Sequence, residues 1–161
     1  YAIGGLAVGE PKPKMLEAVE WMNEFLPKEK PRYLMGVGTP IDLIENVSRG
    51  IDMFDCVMPT RNARNGQIFT FDGKLNIRNS KYKTDFSSID NNGFSPMSES
   101  YSKAYLHHLF KTEEILGYRI ATQHNLKFYV SLMASMQNHI KDGNFKAWSM
   151  KFMDRYNRND V

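Results

Sequence analysis

The feature that most constrains this chain is the alternation of short apolar runs and helical stripes through its first sixty residues. Tyr1 to Val8 reads as a strand that ends at Gly9. Lys14 to Leu26 then sets Met15, Val19, Met22 and Leu26 at helical spacing. Pro27 and Pro31 punctuate before a second strand, Arg32 to Val37. In the next helix Thr39 serves as cap and Pro40 as first residue. Ile41, Ile44 and Val47 form its buried face, and Gly50 ends it. A third strand spans Ile51 to Met58 and stops at Pro59. Strand and helix in strict turn on short connections imply parallel strands with right-handed crossovers, an α/β fold. The chain's 161 residues suffice for one ordinary core but not for a complete (β/α)8 barrel, which takes about 250.

The pattern changes after Pro59. Gln67 to Phe71 and Lys74 to Ile77 flank Asp72-Gly73, a two-residue hairpin signal. Ser80 to Ser100 is polar and irregular. Three helices are expected beyond it: Ala104 to Leu116, a stripe of Leu126, Tyr129, Val130, Met133, Met136 and Ile140 closed by Gly143, and a short one carrying Phe145, Trp148 and Phe152.

A net charge of +3 does not by itself point to a nucleic acid. Its distribution is more informative. Between Pro59 and Asp85, Arg61, Arg64, Lys74, Arg78, Lys81 and Lys83 stand against only Asp72 and Asp85. Such a strip suits a phosphate backbone, and equally a solvated face. A single cysteine, Cys56, excludes an intrachain disulfide and fits a reducing, cytoplasmic setting. No stretch approaches a membrane span, and no secretory signal is visible. The chain opens on Tyr1 inside a predicted strand, as a fragment would.

Asp52 and Asp55 fall near the carboxyl end of the third strand, the end that carries active sites in parallel α/β folds. Alternation sends the two carboxylates to opposite faces. Residue chemistry alone leaves a structural and a catalytic aspartate equally open.

Five stretches carry a resemblance: YAIGGLAVGE (Tyr1 to Glu10), KPRYLMGVGTP (Lys30 to Pro40), RGIDMFDCVMPTRNARNG (Arg49 to Gly66), LNIRN (Leu75 to Asn79) and YSKAYLHHLF (Tyr101 to Phe110). With TQHN (Thr122 to Asn125), they make the chain resemble the carboxyl-terminal part of a bacterial-type tRNA-guanine transglycosylase (queuine tRNA-ribosyltransferase). The resemblance implies the last three strands of a TIM (β/α)8 barrel joined to a small α+β subdomain of the zinc-binding type. Residues 1–66 would be the barrel part that bears the nucleophile. Residues 67–143 would hold the hairpin, the helical subdomain and a barrel-closing helix, and 144–161 a C-terminal helix.

The implied activity belongs to queuosine biosynthesis. It exchanges the wobble guanine of GUN-anticodon tRNAs for a 7-deazaguanine, preQ1. Asp55 would be the nucleophile, forming a covalent ester with the ribose. Gly5, Leu6, Val8, Glu10 and Met35 would build the base pocket, with Glu10 steadying the Leu6-Ala7 peptide. Gly36, Val37, Gly38, Thr39, Pro40, Ile41 and Asp42, together with Thr60, Arg61, Asn62, Ala63 and Arg64, would hold the anticodon loop. The family's second catalytic carboxyl group lies upstream of Tyr1, so activity would need an N-terminal half. The alternative is a catalytically silent tRNA-binding or assembly subunit, or a truncated relic.

The resemblance also implies a zinc site of three cysteines and a histidine. Those positions here are Gly93, Ser95, Ser98 and His124. Glycine cannot ligate and a serine hydroxyl binds zinc poorly, so no metal and no other cofactor is expected. His124 is expected to cap its helix or to hydrogen-bond at its start. His107 and His108 project about 100° apart on a helix and are not expected to share a metal. Tyr101, Tyr105 and His108 match an aromatic cluster at the family's homodimer interface.

Overall fold

A computed structural model describes residues 1–90 and 95–158, apart from the side chains of Met97 and Ser98. The chain divides into two compact units, Tyr1–Met58 and Pro59–Val161.

The first unit is a three-stranded parallel sheet in sequential order: β1 (Ala2–Ile3), β2 (Tyr33–Leu34) and β3 (Met53–Phe54). Helix α1 (Lys12–Phe25) joins the first pair of strands and α2 (Pro40–Val47) the second. Tyr33 pairs with Ala2 on one side and Met53 on the other, and Leu34 with Ile3 and Phe54. The strands are shorter than the apolar runs predict. Their flanking residues turn into loops, and Pro59 opens a helix where it was expected only to stop a strand. Proline suits a first helical turn because its missing N–H would be unpaired there anyway. Ile3, Met15, Val19, Leu34, Val37 and Ile51 form the core between sheet and helix. Helix α2 begins as expected: the Thr39 hydroxyl accepts from the Asp42 N–H at 3.1 Å, with Pro40 first.

The second unit is built on α3 (Met58–Arg64), the antiparallel hairpin β4 (Gln67–Thr70) and β5 (Gly73–Asn76), and a 3-10 turn at Ser80–Tyr82. Helices α4 (Pro96–Ser100), α5 (Lys103–Lys111), α6 (Ile115–Lys141) and α7 (Phe145–Arg158) follow. Thr70 pairs with Gly73, so the loop residues are Phe71 and Asp72, one position before the expected pair. Gly73 adopts φ 126°, which a side chain would resist.

Helix α6 starts at Ile115, well before Leu126, where the expected stripe begins. His124 is therefore a helix-interior residue and not a cap. Among the residues that α6 buries are Ile120, Phe128, Leu132 and Met136, whereas Leu126, Val130 and Ile140 are exposed. The core face is thus rotated from the expected stripe. Ile68, Ile77, Leu106, Phe110 and Ile120 pack together in this unit's core. Phe69, the next residue along β4, meets Tyr129 edge-on at 5.3 Å.

Candidate active site

Strand register puts Asp55 just past the end of β3, beside the end of β2. Its Oδ1 accepts two hydrogen bonds, from the Tyr33 hydroxyl at 2.6 Å and the Gly36 N–H at 2.9 Å. Tyr33 first, then Gly36 and the residue's own backbone N–H, hold the Asp55 carboxyl below the usual carboxylate range, and Asp55 in turn pushes the Tyr33 hydroxyl up. Both the Tyr33 and the Gly36 bonds fall on Oδ1 of an exposed residue, and Oδ2 accepts neither of them. Asp52 does different work. Its Oδ2 accepts from the Arg32 N–H at 2.8 Å, and the buried Arg32 side chain ties down the chain before β2 through Asn23, Leu26 and Pro27. The structure thereby separates two aspartates that sequence chemistry leaves equivalent.

The loop after β2 has little freedom. Gly36 sits at φ 76°, and a Cβ there would lie 3.2 Å from Ala7 Cβ. A Cβ on Gly38 would overlap Cys56 Sγ. Small residues let the loop lie flat against its neighbours. Beside it opens a cleft of about 260 Å³, lined among others by Leu6, Glu10, Gly36, Val37, Thr39 and Asp42. Residues expected at the base pocket and residues expected at the anticodon loop therefore share one cavity, and Gly36 links it to Asp55.

Not every expected residue lines that cleft. Met35 is 44% exposed and its sulfur packs towards Gly4, while Val8 is 81% exposed. Gly5 takes φ 80°. Pro40 is buried and Ile41 half-buried. The Glu10 carboxylate accepts from the Val8 N–H at 3.1 Å, one peptide beyond the Leu6-Ala7 unit it was expected to steady. Asp42 pairs with Lys12 at 2.9 Å, so its charge is balanced locally. Burial works against the Lys12 charge, yet hydrogen bonds to Glu45 and Asp42 outweigh it and raise the ammonium pKa. Tyr33 is the residue that sequence reasoning missed.

The remaining RNA-contact candidates belong to the second unit and form α3. Arg61 and Arg64, three residues apart on the helix, are exposed, and neither pairs with a carboxylate among the described residues. Asn62 donates to the Gln67 side chain at 2.6 Å, and Thr60 is half-buried. Ala63 is fully buried and contributes packing. Arg78 leaves the basic strip, because its guanidinium stacks over Phe110 at 5.1 Å and donates to the Phe110 carbonyl.

The residues at the expected metal position do not suit zinc. Gly93 lies outside the described residues. Ser95 is buried and offers only a hydroxyl. His124 is fully buried, with Nε2 2.8 Å from the Phe69 carbonyl oxygen, and burial holds its pKa down. Zinc needs deprotonated soft or imidazole donors, and this set supplies one imidazole already engaged with a carbonyl. His107 bonds the Ile77 carbonyl at 2.7 Å, while His108 faces solvent. Tyr101 and Tyr105 stack at 5.5 Å.

The family model for queuine tRNA-ribosyltransferase matches residues 1–158. Curated relatives of that name from Francisella tularensis subsp. novicida (strain U112) and subsp. tularensis (strain SCHU S4 / Schu 4) are 54% identical over 156 residues. The relative from subsp. mediasiatica (strain FSC147) is equally similar. The matched region is 97% of this chain and 42% of each relative, so the chain spans under half their length. The match takes in Asp55 with its neighbours and the whole described second unit, and on that breadth the chain belongs to the queuine tRNA-ribosyltransferase family.

Proposed function

We propose that the chain supplies the nucleophile-bearing part of a tRNA-guanine transglycosylase. The observation that carries this reading is an exposed Asp55 whose carboxyl is held below the usual range, with one oxygen bonded by Tyr33 and by Gly36, a residue that lines the cleft. In the reaction, Asp55 Oδ2 attacks C1′ of the wobble nucleotide in a GUN-anticodon tRNA. The glycosidic bond breaks and its electron pair leaves with guanine, which takes up a proton. A 7-deazaguanine such as preQ1 loses a proton, attacks C1′ from the opposite side and releases Asp55. The proton transfers need a second carboxyl group, which comes from the portion of the relatives that this chain does not span.

On this reading the first unit is a segment of a TIM barrel, and the chain is inactive alone. The activity belongs to queuosine biosynthesis in the cytoplasm. Arg61 and Arg64 grip phosphate or base edges of the anticodon loop, as guanidinium geometry allows. The subdomain is held without zinc by packing and by the His124 bond to β4. The Tyr101–Tyr105 stack and exposed His108 serve a contact between copies of the enzyme.

Mixing the chain with the N-terminal part of a relative and a GUN-anticodon tRNA tests this on a denaturing gel. A covalent RNA adduct is expected, and Asp55→Ala should abolish it. An adduct that survives in Asp55→Ala takes Asp55 out of the chemistry. No adduct at all with the wild-type chain, in the presence of a competent partner half, favours the silent tRNA-binding subunit.

A further inference from the structure

We infer that a second cleft, between the β4–β5 hairpin and the end of α7, binds the phosphate backbone of the RNA beyond the stretch that Arg61 and Arg64 hold. This inference rests on the tRNA substrate proposed above and extends it to a surface distinct from α3.

The cleft measures about 680 Å³, and Gln67, Lys74, Asn76, Asn79, Lys81 and Arg158 are among its lining residues. Its hydrogen-bonding polarity is one-sided. Asn76 Oδ1 accepts from the Arg78 N–H and Asn79 Oδ1 from the Lys81 N–H. Gln67 Oε1 accepts from Asn62. With their oxygens engaged inside the protein, all three amides keep NH2 groups to offer. Lys74 and Lys81 add two ammonium groups, and the Lys81 Nζ lies 5.2 Å from the centroid of the buried Tyr82 ring, which fixes its position. Asp72 also lines the cleft, but its carboxylate pairs with Arg155 at 3.3 Å. Among the described lining residues the one acid is already paired, and such a surface of donors and cations suits an acceptor-rich polyanion.

Continuity selects the RNA strand among polyanions. Asn62 sits on α3 between Arg61 and Arg64, and its bond to Gln67 ties that helix to the cleft wall. Arg78 is stacked on Phe110, so the positive track runs from α3 through Gln67 to Lys74 and Lys81 and bypasses the middle of the basic strip.

The test is fluorescence anisotropy of the full chain with an end-labelled anticodon stem-loop RNA, titrated across salt concentrations. The Lys74→Gln/Lys81→Gln double variant should bind about tenfold more weakly at moderate salt. Its log–log salt slope should shrink by about 1.4 to 1.8, two lost phosphate contacts. Lys74→Arg/Lys81→Arg should keep both affinity and slope. Asp72→Asn should tighten binding, a gain that damage to the fold cannot mimic. If the glutamine variant keeps wild-type affinity and slope while Arg61→Gln/Arg64→Gln weakens binding, the second cleft is wrong and the tRNA reading stands. Weakening with an unchanged slope also overturns a phosphate contact. A wild-type chain that does not bind the RNA overturns both.

Discussion

At the scale of single residues, the decisive contrast is between two aspartates three positions apart. Asp52 braces the backbone at Arg32, while the exposed Asp55 takes the Tyr33 and Gly36 bonds on one oxygen. The depressed Asp55 pKa sets the direction of its pH dependence. Its hydrogen-bonded carboxylate contributes stability that is complete above the unfolded carboxylate pKa, and this contribution is lost as pH falls through the lower folded value. Tyr33→Phe removes the largest of these supports. In the complemented enzyme, the acid limb of adduct formation should move to higher pH in that variant. A limb that stays in place would show that Tyr33 does not tune the nucleophile. Gly38→Ala should destabilise the first unit by about 1–3 kcal/mol in denaturant titration, because its new methyl group overlaps Cys56. Asp55 was legible in the sequence only through the letters around it. Tyr33 was not, because nothing marks a strand tyrosine until parallel pairing with Met53 brings it beside residue 55.

At the scale of elements, α6 organises the second unit through polar groups as much as apolar ones. The buried Asn125 accepts from the Phe69 N–H and donates to the carbonyls of Pro59 and Gln67, at 2.9 to 3.0 Å. One side chain thus joins the start of α3, strand β4 and α6. Asn125→Ala would deprive three backbone groups of this partner at once, in two buried bonds and one part-buried, a loss of about 3 kcal/mol or more. Chemical denaturation should show it, and a change below about 1 kcal/mol would mean that the groups find other partners. The helices' existence was legible, as were the Thr39-Pro40 entry and the hairpin. The phase of α6 was not. Apolar residues lie on both faces, and the core face includes His124 and Asn125, which look like surface residues until the hairpin supplies carbonyls for them. The break between α5 and α6 was equally hidden, since it depends on Glu113 adopting φ 57°.

At the scale of the whole molecule, much apolar surface has no cover. β1 and β3 are edge strands of their sheet, α1 exposes Trp21 and Phe25, and α6 exposes Ile115 and Val130. Open edges and apolar helix faces favour association. The chain alone should therefore sediment with a concentration-dependent mass, and a monodisperse, cooperatively melting monomer would contradict this. Among the described residues no helix is long and apolar enough to cross a membrane. The chain spans 42% of its relatives' length, and the proposed complementing half would cover β1. The central claim is that the Asp55 carboxylate becomes esterified to ribose. Peptide mapping by mass spectrometry of the adduct trapped in the complemented enzyme should place the ribose on Asp55. Ribose on any other residue, or RNA exchanged with no modified peptide, would contradict it.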